Sequence, residues 1–169
     1  MKNLNPFLIS AMLCLAFAAT AQAAPSAGDF VKKASIGNEF EIESSRLALE
    51  KSQNANVKQF AQMMIDDHSK AGDQLKATLP SSSVNAAMVP NALDAKHRKL
   101  LDKLKDAPAG KKFDKKYISE QTDAHKETVK LFRDYAKNGD DGALKGFASQ
   151  TLPTLESHLQ HVKQIKSSM

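Results

Sequence analysis

The sequence predicts an all-α protein, a four-helix bundle with an additional short helix, preceded by a signal peptide. Apolar residues recur at helical spacing (i, i+3, i+4, i+7) through four long stretches. No stretch alternates apolar and polar residues for the length of a strand, and Pro80, Pro90 and Pro108 fall between the helical stretches. Four amphipathic helices with short connections pack most simply as a bundle, with the short helix across one side or end.

The N-terminus has the features of a cleavable signal peptide. Lys2 precedes an apolar run at residues 7–18, and small residues then lead to an A-x-A cleavage motif that ends at Ala23. The apolar run is shorter than the roughly 20 residues that span a bilayer. We therefore expect removal of residues 1–23, leaving residues 24–169 as a single helical-bundle domain in the periplasm or cell envelope.

Cys14, the only cysteine in the chain, lies inside this segment and allows one alternative. A lipoprotein signal ends in an acylated Cys, but the residue before that Cys should be small. Met12 and Leu13 are large, so cleavage near Ala23 is the main prediction. The mature chain then has no cysteine, and its stability must come from packing without disulfide bonds.

The helix boundaries follow from helix-breaking residues. Pro80 and the Ser residues at 81–83 stop the second helix, and the turn at residues 106–110 stops a short third one. Asn138 and Gly139 end the fourth helix, since both residue types are preferred just beyond a helix C-terminus. The five predicted helices cover residues 27–52, 55–79, 91–105, 111–137 and 141–165.

Pro153 lies inside the fifth predicted helix. Proline has no amide hydrogen to donate to the Ser149 carbonyl, and its ring crowds that oxygen. We therefore expect the helix to kink or to split near Leu152.

A rotation of 100° per residue gives the inward face of each long helix. The residues expected in the core are Phe30, Ala34, Ile42, Ala48 and Leu49; Val57, Phe60, Ala61, Met64, Ala71 and Leu75; Phe113, Tyr117, Ala124, Leu131, Phe132 and Tyr135; and Leu144, Ala148, Leu155, Leu159 and Val162.

Polar residues interrupt these apolar faces in all four long helices. A glutamate lies on the inward face of the first helix, and an Asp-His pair lies at the centre of the second. In the fourth helix Gln121 is central, with a histidine at the margin of the same face, and another histidine flanks the core side of the fifth. The candidate metal ligands are therefore Glu41, Asp67, His68, His125 and His158.

Three interpretations of this polar set remain open. A buried charge is costly unless it is paired, so Glu41 and a protonated His68 would form a hydrogen-bonded network that fixes helix register. Alternatively, Glu and His from facing helices would bind a transition-metal ion, as in metal sites built inside bundles. In the third interpretation the residues lie at different heights and form no single site.

A strongly basic stretch occupies residues 96–116, whereas the whole chain has a net charge of only +5. The simplest interpretation is a solvated, lysine-rich surface. The alternative is a surface for an anionic envelope partner, either lipid or polysaccharide; an exported protein with no Trp is a poor candidate for nucleic acid. The residues of this alternative are Lys96, Arg98, Lys99, Lys103, Lys111, Lys112, Lys115 and Lys116.

Several short stretches, spread over nearly the whole mature chain, together form a recognisable pattern. They are Phe40-Glu41-Ile42, Leu47-Ala48, residues 60–68 (FAQMMIDDH), Phe113-Asp114, Tyr117, Gln121, His125, Leu152-Pro153-Thr154-Leu155 and His158. In this order they resemble a known family of exported bacterial proteins, domain-of-unknown-function family 4142 (DUF4142). The resemblance implies a ferritin-like helical bundle in the cell envelope, with no established activity.

The ferritin-like resemblance does not extend to a di-iron site. Such a site needs a Glu-x-x-His motif on two helices, and this sequence contains none. Isoleucine, threonine and leucine stand three residues before His68, His125 and His158. The sequence also lacks a G-x-S-x-G motif and a phosphate-binding Gly loop, so we expect no catalytic residues and no organic cofactor.

Three functional hypotheses follow from the sequence. The first is a non-catalytic envelope protein, with a protective or stress-related role, whose interior polar network is structural. The second is a metal-binding or redox protein that uses the Glu and His residues of the bundle core. The third is an envelope-surface module that binds anionic lipid or polysaccharide through the basic stretch.

Overall fold

The computed structural model describes residues 25–169, so the expected signal peptide and Cys14 lie outside the described residues. Within that range the chain forms five α-helices and two short 3₁₀ turns. The helices are α1 (Ala27–Lys51), α2 (Ala55–Thr78), α3 (Ala95–Lys105), α4 (Lys111–Asn138) and α5 (Gly142–Ser167). The 3₁₀ turns, Leu79–Ser81 and Ala86–Met88, lie in the connection between α2 and α3.

Short polar side chains define where the helices begin. Ser26, Asn54, Asp94 and Asp141 accept hydrogen bonds from the first backbone amides of α1, α2, α3 and α5, which otherwise lack partners. Before α4 the chain turns at Gly110, whose φ of 78° suits glycine, and the Gly110 amide donates to the Lys51 carbonyl. This bond ties the start of α4 to the end of α1.

The four long helices form the expected bundle. α1 packs against α2 and α4, and α5 packs against the same two helices, so α1 and α5 are diagonally opposed. The short α3 lies against α1 and α4. Among residues 25–169, no helix is both long enough and apolar enough to cross a membrane.

The apolar core has two parts, separated along the bundle axis. One contains Phe40, Phe60 and Tyr117, together with the apolar face of α3. The other contains Phe30 and Phe132 and includes the N-terminal halves of α1 and α5. Buried polar side chains lie between the two parts. This polar layer consists of Glu41, Ser44, Ser45, His68, Gln121, His125 and His158.

Two expectations about helices need correction. α3 begins at Ala95 rather than at residue 91, because Asp94 caps it through the His97 amide. α5 runs continuously from Gly142 to Ser167, so it is not split at Pro153, and a kink there stays a prediction. Both Pro153 and Ser149 are exposed, so water can satisfy the carbonyl that the proline leaves without a donor.

The predicted core is correct at most positions, but some of its residues are only half-buried. These residues lie at the margins of the helix faces, where part of each side chain is exposed to solvent. They are Leu49, Ala71, Ala124, Leu131 and Leu159.

Candidate metal centre

Helical spacing places one histidine from each of three helices in the polar layer. His68 follows the buried Met64 by one turn, and His125 follows the buried Gln121 by one turn. His158 precedes the buried Val162 by one turn on α5. Each histidine therefore occupies the inward face of its helix, and α2, α4 and α5 point their imidazoles at the same space.

The three imidazole rings form a compact triangle. Their centroids lie 5.7 Å apart for His68 and His125, 5.6 Å for His68 and His158, and 5.5 Å for His125 and His158. One ring nitrogen from each histidine lies within 4.8 Å of the others. The residues are 5%, 1% and 2% exposed, in chain order, so all three side chains are buried.

Each imidazole is held by a hydrogen bond through one of its nitrogens. His68 Nδ1 lies 3.0 Å from Asn38 Oδ1, and His125 Nδ1 lies 2.9 Å from the Gln121 carbonyl. His158 Nε2 lies 2.8 Å from Asp67 Oδ2. All three partners are oxygen acceptors, so these nitrogens carry the protons and the hydrogen bonds fix both the tautomer and the ring orientation.

The remaining nitrogen of each ring is buried and has no hydrogen-bond partner. These atoms are His68 Nε2, His125 Nε2 and His158 Nδ1. Because the opposite nitrogen carries the proton, each presents a lone pair. An unsatisfied buried polar atom lowers the free energy of unfolding by about 1–3 kcal/mol. Three such atoms in one layer are therefore unusual for a purely structural network.

Burial keeps the three histidines neutral. It lowers the pKa of His68 well below its usual value of 6.5, and the neighbouring His125 and His158 lower it further. Burial, assisted by His158, lowers the pKa of His125 to about 4. The pKa of His158 is lowered by burial as well, although the Asp67 carboxylate opposes the shift. Three neutral imidazoles are the form in which histidine binds metal ions.

Glu41 lies beside this cluster but does not pair with His68. Its Oε1 is 3.5 Å from His125 Nδ1, and its Oε2 has no partner. Burial raises the pKa of Glu41 to about 8, against the opposing effect of the Gln121 amide. The expected ion pair between Glu41 and a protonated His68 is therefore wrong, because burial favours the neutral form of both side chains.

The five predicted ligand residues thus take different positions around one centre. His68, His125 and His158 converge, whereas Asp67 lies at the edge with 41% of its side chain exposed and contacts His158. Glu41 is next to His125. Asp67 has the position of an outer-shell partner, which in metal sites orients a ligating histidine.

Sequence reasoning missed Asn38 and Gly72, which together position His68. A Cβ at residue 72 would lie 3.0 Å from the Asn38 amide nitrogen, so glycine leaves room for the side chain that holds His68 Nδ1. The available signal was an asparagine in the middle of α1, since asparagine is a poor helix former away from helix ends.

The other predicted residues lie apart from the centre. In the basic stretch, Lys116 is half-buried and the other seven residues of the set are exposed. Lys96 pairs with Glu127 at 2.7 Å, and the Arg98 guanidinium donates to the Leu93 carbonyl. Binding of lipid or polysaccharide through this stretch stays a prediction.

The shifted pKa values predict a stability maximum near pH 6.5 for the metal-free protein. Below pH 6.5 the unfolded chain binds protons at histidines that stay neutral in the fold, so acid lowers the free energy of unfolding. Above pH 4.5 the folded chain keeps a proton on Glu41 that the unfolded chain has lost. The histidine effect dominates below pH 6.5 and fades above it, so the glutamate effect prevails as the pH rises towards 8.

Glu41→Gln tests this balance, because glutamine keeps the shape of the side chain and removes its titration. Urea unfolding between pH 6.5 and 8 should show the wild type losing stability by up to about 1.4 kcal/mol per pH unit, and the variant should not show this loss. Glu43→Gln, half-exposed on the same helix, is the control. An equal slope in wild type and Glu41→Gln would show that Glu41 ionises freely.

Known structures share this fold. CopM in the Cu(II)-bound form is 17% identical, with a TM-score of 0.69 over 86% of this chain and 98% of that chain. A DUF305 protein from Streptomyces coelicolor is 16% identical, with a TM-score of 0.67 over 84% and 90% of the two chains. A DUF305 fragment from Deinococcus radiodurans is 14% identical, with a TM-score of 0.70 over 88% and 100%. At these identities the likeness establishes the helical fold alone.

Sequence comparison identifies the family. No curated protein matches this chain. The family described as "Domain of unknown function (DUF4142)" matches residues 13–165. This range contains α1, α2, α3, α4 and the three clustered histidines, and it covers α5 up to Ile165. The chain therefore belongs to the DUF4142 family.

Proposed function

We propose that this protein binds a transition-metal ion, with copper as the preferred metal, through His68, His125 and His158. The observation that carries the proposal is that the two nitrogens of each imidazole ring have different surroundings. One nitrogen is held by an oxygen acceptor and the other is buried without a partner. Metal-ligating histidines are held in this way, with the second nitrogen donating to a carboxylate or carbonyl.

The spacing of the ring nitrogens is compatible with coordination of one metal ion. Three nitrogens at about 2.0–2.1 Å from a metal lie roughly 3.3 Å apart, and the nitrogens here lie within 4.8 Å of one another. Inward movement of the rings would bring the nitrogens to that spacing. A purely structural network would instead give each buried nitrogen a partner.

The ligand set favours copper or zinc over harder metals. Imidazole suits copper, zinc, iron and nickel, and Cu²⁺ binds most strongly among the divalent ions of the first row. The Cu(II)-bound form of CopM, a protein of the same fold, supports copper as the first metal to test. The Asp67 carboxylate, which contacts His158, provides negative charge close to a bound cation.

Metal titration of chelator-treated protein at pH 7 tests the proposal. We expect one Cu²⁺ per chain in the centre and a higher melting temperature, since an ion that binds only the folded chain stabilises it by about 2.7 kcal/mol at 100 times its Kd. His68→Ala should weaken binding by more than about 100-fold. Asn38→Ala should weaken it by about 10–100-fold, as expected for an outer-shell partner.

His161→Ala is the matched control, because His161 lies on α5 one turn from His158 and outside the cluster. It should leave the affinity and the metal-induced rise in melting temperature unchanged, although it removes the contact of the His161 ring with Phe60. A wild type whose melting temperature does not respond to Cu²⁺ or Zn²⁺ would contradict the proposal and favour the structural network.

We further propose that the protein works outside the cytoplasm, in the periplasm or cell envelope, as a non-catalytic metal-binding protein. The support is the N-terminal pattern of Lys2, the apolar run at residues 7–18 and the A-x-A motif that ends at Ala23. An oxidising compartment is also one in which Cu²⁺ persists.

Intact-mass analysis of the protein from fractionated cells tests this location. The mass should correspond to a chain that starts at Ala24, recovered in the periplasmic or envelope fraction. A chain that retains Met1 in that fraction would contradict cleavage, and a lipidated Cys14 would support the lipoprotein alternative.

A further inference from the structure

A cavity of about 590 Å³ lies beside the imidazole cluster. Its walls come from α1 and α2, the segment at residues 86–92, and inward residues of α4 and α5. His68, Asn38 and Glu41 all line it. A second hollow, of about 780 Å³ between α1 and α4, reaches Glu41 but none of the three histidines. Of these two cavities, only the first is lined by a histidine of the cluster.

The cavity combines an apolar wall with unsatisfied polar atoms. Three buried polar atoms without hydrogen-bond partners belong to residues on its lining: Ser35 Oγ, Glu41 Oε2 and His68 Nε2. A volume of this size with an apolar wall and a few polar groups is typical of small-molecule pockets. The apolar wall is formed by Ile42, Leu75, Leu79, Val89, Phe132, Phe147 and Leu155.

The charges on the lining favour an uncharged occupant. Lys76, the one cation among the lining residues, is exposed and pairs with the exposed Asp73, so no buried cation is available to an anion. Glu39, which also lines the cavity, is half-buried and further disfavours an anion. The apolar wall would also penalise an ionic body, because a charge without a partner is costly to bury.

A centre with three protein ligands leaves a coordination position free. Structural zinc sites are closed by four protein ligands, whereas sites with three keep a position for water or another molecule. In the described residues the cluster contains three histidines and no fourth ligand of the His, Cys, Asp or Glu type. The cavity that meets His68 offers such a molecule a route from the surface.

We propose that the cavity admits a small uncharged organic molecule, with a nitrogen or oxygen donor at one end and an apolar body, which completes the coordination of the metal ion. This inference rests on the proposed binding of metal by His68, His125 and His158. The donor end reaches the metal beside His68, and the body packs against the apolar wall formed by residues such as Leu75 and Phe132.

Titration of Cu²⁺-loaded protein with imidazole and with 4-phenylimidazole tests the inference. Binding of each probe is measured by electron paramagnetic resonance and by the copper d–d absorption. Both probes should change the spectra. 4-Phenylimidazole should bind about tenfold tighter or more, because its ring gains burial against the apolar wall. The same molecule with a carboxylate on its phenyl ring should lose that gain.

Two adjacent alanines provide a matched pair of variants. Ala86 and Ala87 are both exposed in the same 3₁₀ turn, but only Ala86 lines the cavity. Ala86→Phe should weaken 4-phenylimidazole about tenfold and leave the spectrum of bound Cu²⁺ unchanged, whereas Ala87→Phe should change neither. Ala71→Phe, on the part of the lining that α2 forms, provides a second obstruction.

The outcomes separate this inference from the proposed function. If Cu²⁺ does not bind at the three histidines, both are wrong. If Cu²⁺ binds there but neither probe changes its spectra, the inference is wrong and the proposed metal centre is unaffected. The same conclusion follows if the two probes bind equally and Ala86→Phe has no effect on their binding.

Discussion

The burial of three imidazoles in one polar layer is the constraint on which the centre of this bundle depends. Three helices must bring polar rings into the interior of the bundle, and each ring must keep its proton on the outer nitrogen. Burial and mutual repulsion keep the rings neutral. As a result, each ring has an inward nitrogen lone pair that accepts no hydrogen bond within the layer. A metal ion can bind these three lone pairs.

The two apolar parts of the core hold this layer in place. Phe60 and Tyr117 pack on one side of it, while Phe30 and Phe132 pack on the other. Protein interiors are close-packed and transmit strain, so the helix backbones on both sides limit how far the rings can move. The partners of the rings add a second restraint, since Asn38 comes from α1 and Asp67 from α2. The arrangement resembles a binding site prepared before its ligand arrives.

Much of the fold could be predicted from the sequence, because helical periodicity and capping residues are local signals. The inward positions of His68 and His158 followed from the same periodicity. The partners of the rings could not be predicted, because they depend on the relative height of neighbouring helices. Asn38 and His68 are brought together by the packing of α1 on α2, which no pattern within either helix reveals.

The charge states of Glu41 and His68 also could not be predicted from sequence patterns. A glutamate and a histidine on inward faces suggested an ion pair, but the depth of burial decides whether such groups ionise. At Glu41 and His68 the loss of hydration outweighs the attraction that a pair would gain, so both favour their neutral forms near pH 7. The same burial that rules out the pair makes the three histidines suitable as ligands.

Nitrogen-15 NMR of the histidine rings in the metal-free protein at pH 7 tests the central claim most directly, because it reports the protonation of each ring nitrogen. The account predicts three neutral rings, protonated at Nδ1 in His68 and His125 and at Nε2 in His158. Addition of metal should shift the opposite nitrogen of each ring. An imidazolium ring in the cluster, or the reverse tautomer at His68, would contradict an inward set of three lone pairs.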